Sequence, residues 1–186
     1  MNVVLVGIKH AGKSALGKAL AEMRDTLFVD SDELIEANYL LSNGEKLSCR
    51  EIFLKLGRQE FRKLEAAAIA QLNESSEEDD QERVIALGGG VADNPDVSDE
   101  QLKNLGLLVY IAIPRDVAWE RIIAGGMPGY LQNEANPRAV FDELSEEREN
   151  FYEKYADVIV HLEDDDLENN LAILEEKLAG YLSECC

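Results

Sequence analysis

Residues 7–14 read Gly-Ile-Lys-His-Ala-Gly-Lys-Ser, a complete G-x-x-x-x-G-K-S phosphate loop. Its flanks decide the fold. Asn2-Val3-Val4-Leu5-Val6 precedes it as an apolar, β-branched run suited to a buried strand. Ala15, Leu16, Ala19, Leu20 and Met23 follow it at helical spacing. Strand, glycine loop and helix form the context in which such a loop holds phosphate, because its backbone N–H groups and the helix N-terminus make a concave anion site. Gly7, Gly12, Lys13, Ser14 and Ala15 are the expected nucleotide contacts. Lys13 should reach the β- and γ-phosphates of ATP, and the Ser14 hydroxyl should ligate Mg2+.

Beyond the loop the sequence alternates strand and helix. Leu27-Phe28-Val29, Val84 to Leu87, Leu107 to Ile113 and Val158-Ile159-Val160 read as further strands. Helices are expected at about 13–23, 31–40, 48–56, 58–72, 114–124, 137–155 and 167–182, the third opened by the capping box Ser48-Cys49-Arg50-Glu51. This pattern predicts an α/β, three-layer P-loop fold: a five-stranded parallel sheet flanked by helices, with right-handed crossovers. The 186 residues suit one domain, 1–186, with a helical substrate-binding part at about 31–72. The acidic segment 73–82 reads as a mobile connection. Segment 124–137, with three Gly, two Pro and two Asn, reads as a flexible loop and candidate lid.

Eighteen Lys and Arg face 38 Asp and Glu, a formal charge of −20. That balance argues against a nucleic-acid or anionic-membrane partner, so the cations serving the phosphate loop must be gathered locally. Much of the acid sits in two runs, Glu74 to Glu82 and Glu163 to Glu168, and reads as solvated surface. No stretch approaches the ~20 apolar residues of a membrane span, and no secretory signal opens the sequence. Cys49, Cys185 and Cys186 form no disulfide framework, which fits a reducing, cytoplasmic compartment. A monomer is the default expectation.

Other residues add chemistry. Asp30-Ser31-Asp32 follows the second strand, at the sheet edge where ligands bind. Two carboxylates there, facing the phosphate loop from one side of an extended segment, could serve Mg2+ and a substrate hydroxyl. One of the three residues could equally cap the next helix. Arg58, Arg62 and Glu65 share a helix side, either as a fork for a substrate carboxylate or as a surface ion pair. Gly88-Gly89-Gly90 ends the third strand, where bare backbone suits a ligand lying against it. Arg148, after the lid, is a second substrate cation or a surface residue.

Together these residues resemble shikimate kinase, a transferase family. The phosphate loop, Asp-x-Asp, Phe-Arg-x-x-Glu, Gly-Gly-Gly, a Pro-containing lid and Glu-Arg-x-x-x-Tyr occur in the family's order from Val3 to about Val160. The resemblance implies ATP-dependent phosphorylation of the 3-hydroxyl of shikimate, on the route to chorismate and the aromatic amino acids, by a kinase of the nucleoside monophosphate kinase-like fold. It implies Lys13 and Ser14 at phosphate and Mg2+, and Asp30 supporting the metal. Asp32 would sit at the hydroxyls as base. Arg62, braced by Glu65, and Arg148 would hold the carboxylate; Gly88, Gly89 and Gly90 would line the substrate, and Arg121 would stack on adenine.

Two positions depart from the family pattern. His10 stands where a small residue is usual. The lid reads Gly126-Met127-Pro128-Gly129-Tyr130-Leu131 where the family carries an Arg, and no Lys or Arg occurs between Ile122 and Pro137. Arg138 and Lys9 are the nearest replacements. The alternative readings are a related small-molecule kinase, such as one for gluconate, and a nucleotide-binding protein with a weakened active site.

Overall fold

Alternate residues of the first strand, β1 (Val3–Val6), feed two different cores. Val3 and Leu5 pack with Leu16, Leu20, Val109 and Ile111, whereas Val4 and Val6 pack with Ile69, Ile85, Leu108 and Tyr110. A strand buried on both faces reads as a continuous apolar run because neither side meets water. In the computed structural model, which describes residues 1–78, 81–163 and 166–184, β1 is the centre of a five-stranded parallel sheet. The others are β2 (Leu27–Asp30), β3 (Arg83–Ala86), β4 (Leu107–Ala112) and β5 (Val158–His161), in the order β2-β3-β1-β4-β5. Val4 stands beside Ile85 on one side and Leu108 on the other.

The helices cover both faces. The first is α1 (Lys13–Arg24), on the Leu5 face, followed by α2 (Ser31–Asn43), α3 (Cys49–Leu56) and α4 (Arg58–Glu78). Then come α5 (Asp99–Leu105), α6 (Arg115–Gly125), α7 (Pro137–Tyr155) and α8 (Leu167–Glu184). Ile35, Tyr39, Ile52 and Ala68 give α2, α3 and α4 a small core of their own beside the sheet edge. The three-layer α/β fold with a five-stranded parallel sheet is therefore the observed one. No helix among the described residues is long and apolar enough to cross a membrane.

Three segments differ from expectation. Residues 99–105 form α5, whose Ser98 side chain accepts from Gln101 N at 3.2 Å while Gln101 Oε1 accepts from Ser98 N at 2.9 Å. That S-x-x-Q box was visible in the sequence. Segment 73–82 is not wholly a connection, because α4 runs on to Glu78. Asn73 Nδ2 ties its late turns to α5 through Gln101 O at 3.1 Å. The lid contains a short 3-10 turn, Gly129–Leu131, anchored by fully buried Leu131 rather than loose throughout. Cys185 and Cys186 lie outside the described residues.

Candidate active site

The carboxyl ends of β1, β2 and β3 deliver the phosphate loop, Asp30 and the three glycines to one edge, as the order of a doubly wound sheet requires. Gly12 opens α1 with φ +89°, a left-handed conformation that suits glycine, and no side chain caps the helix. The helix N-terminus is thus open to an anion rather than covered by a capping side chain. Lys13 is buried and donates to Gly7 O at 3.0 Å and Ile8 O at 2.9 Å. Burial and the neighbouring Lys9 lower its pKa to about 8. Gly7 serves the loop from behind: its carbonyl holds Lys13, and a Cβ there would stand 2.6 Å from Ile111 O.

Asp30 caps the next helix and also meets the phosphate loop. Its Oδ1 accepts from Asp32 N at 2.9 Å, capping α2, and its Oδ2 accepts from Ser14 Oγ at 2.5 Å. Asp32 lies in the first turn of α2, not on an extended segment, yet still turns to the loop: its Oδ2 accepts from Lys9 Nζ at 3.4 Å. Burial works against the Lys9 ammonium, but the charge and hydrogen bond of Asp32 hold its pKa above the usual value. His10 adopts φ +64°, a left-handed conformation that glycine takes up most easily. Burial, with Lys9, Lys13 and Arg121 around it, lowers its pKa to about 4, so the ring is neutral at pH 7.

Two cavities meet at this edge. One, of about 520 Å³, runs over Gly12, Lys13, Ser14 and Ala15 to Arg121, Ile113, Leu162 and Leu167. The other, of about 300 Å³, is lined by Asp32, Arg58, Arg62, Glu65, Gly88, Gly89, Gly90 and Arg148, under lid residues Gly126, Pro128, Gly129 and Tyr130. They share Lys9, His10, Asp32, Gly88 and Gly89. A family model for shikimate kinase matches residues 9–179.

The chain belongs to the shikimate kinase family.

Among its relatives, a shikimate kinase of Caldanaerobacter subterraneus is 33% identical over 97% of this chain and 96% of its own length. One from Rhizobium meliloti is 33% identical over 96% of this chain and 84% of the relative. The solved Acinetobacter baumannii shikimate kinase in complex with shikimate aligns with a TM-score of 0.77 at 27% identity, covering 96% of this chain and 93% of that one. A deoxyadenosine kinase from M. mycoides, at 14% identity and a TM-score of 0.59, shares the fold.

Family membership makes the chain a kinase, and the geometry locates the expected residues. Arg62, Arg148, Glu65 and Asp32 do converge on one cavity, along with Gly88, Gly89 and Gly90. The glycines make room mainly for the site's own carboxylates. A Cβ on Gly88 would stand 2.8 Å from Asp32 Oδ1, and one on Gly90 2.9 Å from Glu65 Oε1. Glu65 does not brace Arg62 as expected. Its Oε2 accepts from Asn94 Nδ2 at 3.3 Å, and the carboxylate bound to Arg62 is Asp93. Arg121 lies over the phosphate loop, donating to His10 O at 2.8 Å.

Arg138 does not replace the missing lid cation. It is bound to Asp116 and Asp142, stacks against Trp119, and lines neither cavity. Arg50, which sequence reading passed over, does line the acceptor cavity. Its Nη1 lies 2.9 Å from where a Cβ on Gly126 would stand. With the Gln132 amide turned so that its oxygen faces the guanidinium, Arg50 donates Nε at 2.7 Å and Nη2 at 2.5 Å. Arg50 thus brings a positive charge from α3 beside the lid, and Gly129 packs against the Phe53 ring of the same helix.

Proposed function

We propose that the chain transfers the γ-phosphoryl group of ATP to the 3-hydroxyl of shikimate. The observation that carries this reading is the junction of a phosphate-loop cavity with a cavity in which Arg62 and Arg148 converge with Asp32, both cavities being lined by Lys9, Asp32, Gly88 and Gly89. The triphosphate lies along the loop. Lys13 exchanges the Gly7 and Ile8 carbonyls for phosphate oxygens.

Ser14 and Asp30 would hold Mg2+, and their hydroxyl and carboxylate oxygens, in contact at 2.5 Å, are the hard donors that ion takes. When bound, the metal supplies neutralisation of phosphate charge. The acceptor's carboxylate lies toward Arg62 and Arg148, with its hydroxyl on Asp32. Asp32 takes the hydroxyl proton as the oxygen bonds to the γ-phosphorus and the bond to the bridging oxygen of ADP breaks. Lys9 beside Asp32 and Arg50 from the lid side offer positive charge to the transferring group. Positioning and electrostatics do most of the catalysis.

The convergence of Arg62, Arg148 and Asp32 also favours a carboxylate-bearing acceptor over an uncharged polyol. A coupled ADP-release assay over a small acceptor panel tests this. Shikimate-dependent ADP release is expected, and turnover of gluconate or another acceptor without turnover of shikimate would reject it.

A further inference from the structure

The clamp expected to hold the acceptor's carboxylate is already gripping one. Arg62 Nη2 donates to Asp93 Oδ2 at 2.6 Å and to Asp93 O at 2.7 Å. Arg148 Nε donates to Asp93 Oδ1 at 2.8 Å. One carboxylate therefore bridges guanidinium groups from α4 and α7, and Arg148 is only 7% exposed. Asp93 is not a mobile visitor. It ends a 3-10 turn, Val91–Asp93, in which its N–H donates to Gly90 O at 3.2 Å, and the next residue, Asn94, donates to Arg62 O at 2.9 Å. Yet Asp93 also lines the acceptor cavity, so its charge faces whatever enters.

We infer that Asp93 is a specificity-determining residue, an internal counter-ion that competes with the acceptor's carboxylate for Arg62 and Arg148 and so sets how tightly a carboxylate-bearing acceptor is held. The inference rests on the reading of those two arginines as the carboxylate clamp. Two guanidinium groups alone present two positive charges to the ligand; with Asp93 between them they present one. An entering carboxylate must share donors with Asp93 and lie close to its charge. A neutral acceptor pays neither cost. A unit charge a few ångströms from a ligand charge in a partly wet pocket shifts affinity by about tenfold or more.

The test compares the full chain with Asp93→Asn, which keeps the volume and one acceptor oxygen, and with Asp93→Ser as a second variant should the amide disturb folding. KM is measured for shikimate and for its neutral carboxamide, alongside the dissociation constant of shikimate by calorimetry. Removing the charge is expected to lower KM and the dissociation constant for shikimate about tenfold. The KM for the carboxamide should change several-fold less than that for shikimate, so the ratio of the two KM values moves. A raised KM for shikimate, or an equal change for acid and amide, would overturn the competition and leave Asp93 as a strut for the two arginines. Failure of the underlying reading is distinguishable, because the parent chain would then release no ADP in response to shikimate, and the inference would fall with it.

Discussion

Replacing Glu65 with Gln should make the protein more stable at pH 8 and leave it unchanged near pH 4.5. Glu65 is buried beside Asp32, and burial first, then the Asp32 charge, raises its pKa to about 7, although Arg148 and Arg62 pull the other way. The folded state therefore binds a proton more tightly than the unfolded chain, where the carboxyl titrates near 4.5. Between these values the folded state carries more protons, so stability falls as pH rises through the window and levels off above 7. A carboxyl titrating near 7 rather than 4.5 is worth at most about 3 kcal/mol over that interval. Glu65→Gln keeps an acceptor for Asn94 and removes the charge. Urea unfolding of both proteins at pH 5, 6, 7 and 8 should give a stability difference that grows with pH toward about 3 kcal/mol, or roughly 6–12 °C in Tm at pH 8. Every other titrating group cancels to first order in that difference. A gap that is the same at pH 5 and pH 8 would refute the reasoning.

ATP binding should draw protons at pH 8 and hardly any at pH 6, because Lys13 titrates near 8 in the free protein and phosphate favours its charged form. Calorimetry in buffers of different ionisation enthalpy reads this directly, and equal uptake at both pH values would contradict it. Arg50→Ala should lower kcat about 100-fold with little change in the KM for ATP, the cost of one charge-stabilising donor at a transferring group. An unaltered kcat would remove Arg50 from the reaction. Asp25→Gly should raise stability by about 0.5–1 kcal/mol, since exposed Asp25 ends α1 at φ +52° with an acid at the negative helix end. A lowered urea midpoint would show that the Asp25 side chain contributes something else.

The fold was legible because its signals are local and mutually consistent. An apolar run, a glycine loop and a helical stripe near residue 7 leave one arrangement, and both-sided burial of Val3 to Val6 follows from an uninterrupted apolar strand. Ser48 and Glu51 announced α3, whereas the equivalent box at Ser98 and Gln101 went unread and α5 with it. What could not be read was which opposite charges meet across large separations. Arg62 has Glu65 three residues along the same helix, yet it binds Asp93, 31 positions away, because the 3-10 turn after the glycines aims that carboxylate into the cavity. Arg138 looked available by nearness in sequence, but Asp142 lies one helical turn beyond it and Asp116 faces it from α6. Arg50 drew notice only as part of a capping box, because nothing local in the sequence places α3 against the lid.

Charge is the quantity that joins these particulars. The chain carries a formal −20, yet seven of its 18 cationic side chains line the two joined cavities and only four of its 38 carboxylates do. The site thus holds a local excess of three positive charges within an otherwise repulsive molecule. At physiological salt the Debye length is about 8 Å, so an anion in the cleft feels the lining and little of the acidic surface beyond it. The four carboxylates have separate surroundings. Asp30 meets Ser14, Asp32 meets Lys9, and Asp93 meets Arg62 and Arg148. Glu65, with its pKa raised to about 7, holds its proton for much of the time near neutrality and then adds no charge. A pocket with more bare cations would bind anions of every kind. One in which Asp32 and Asp93 each neutralise chosen cations, while Glu65 holds a proton, leaves less positive charge for anions that do not fit.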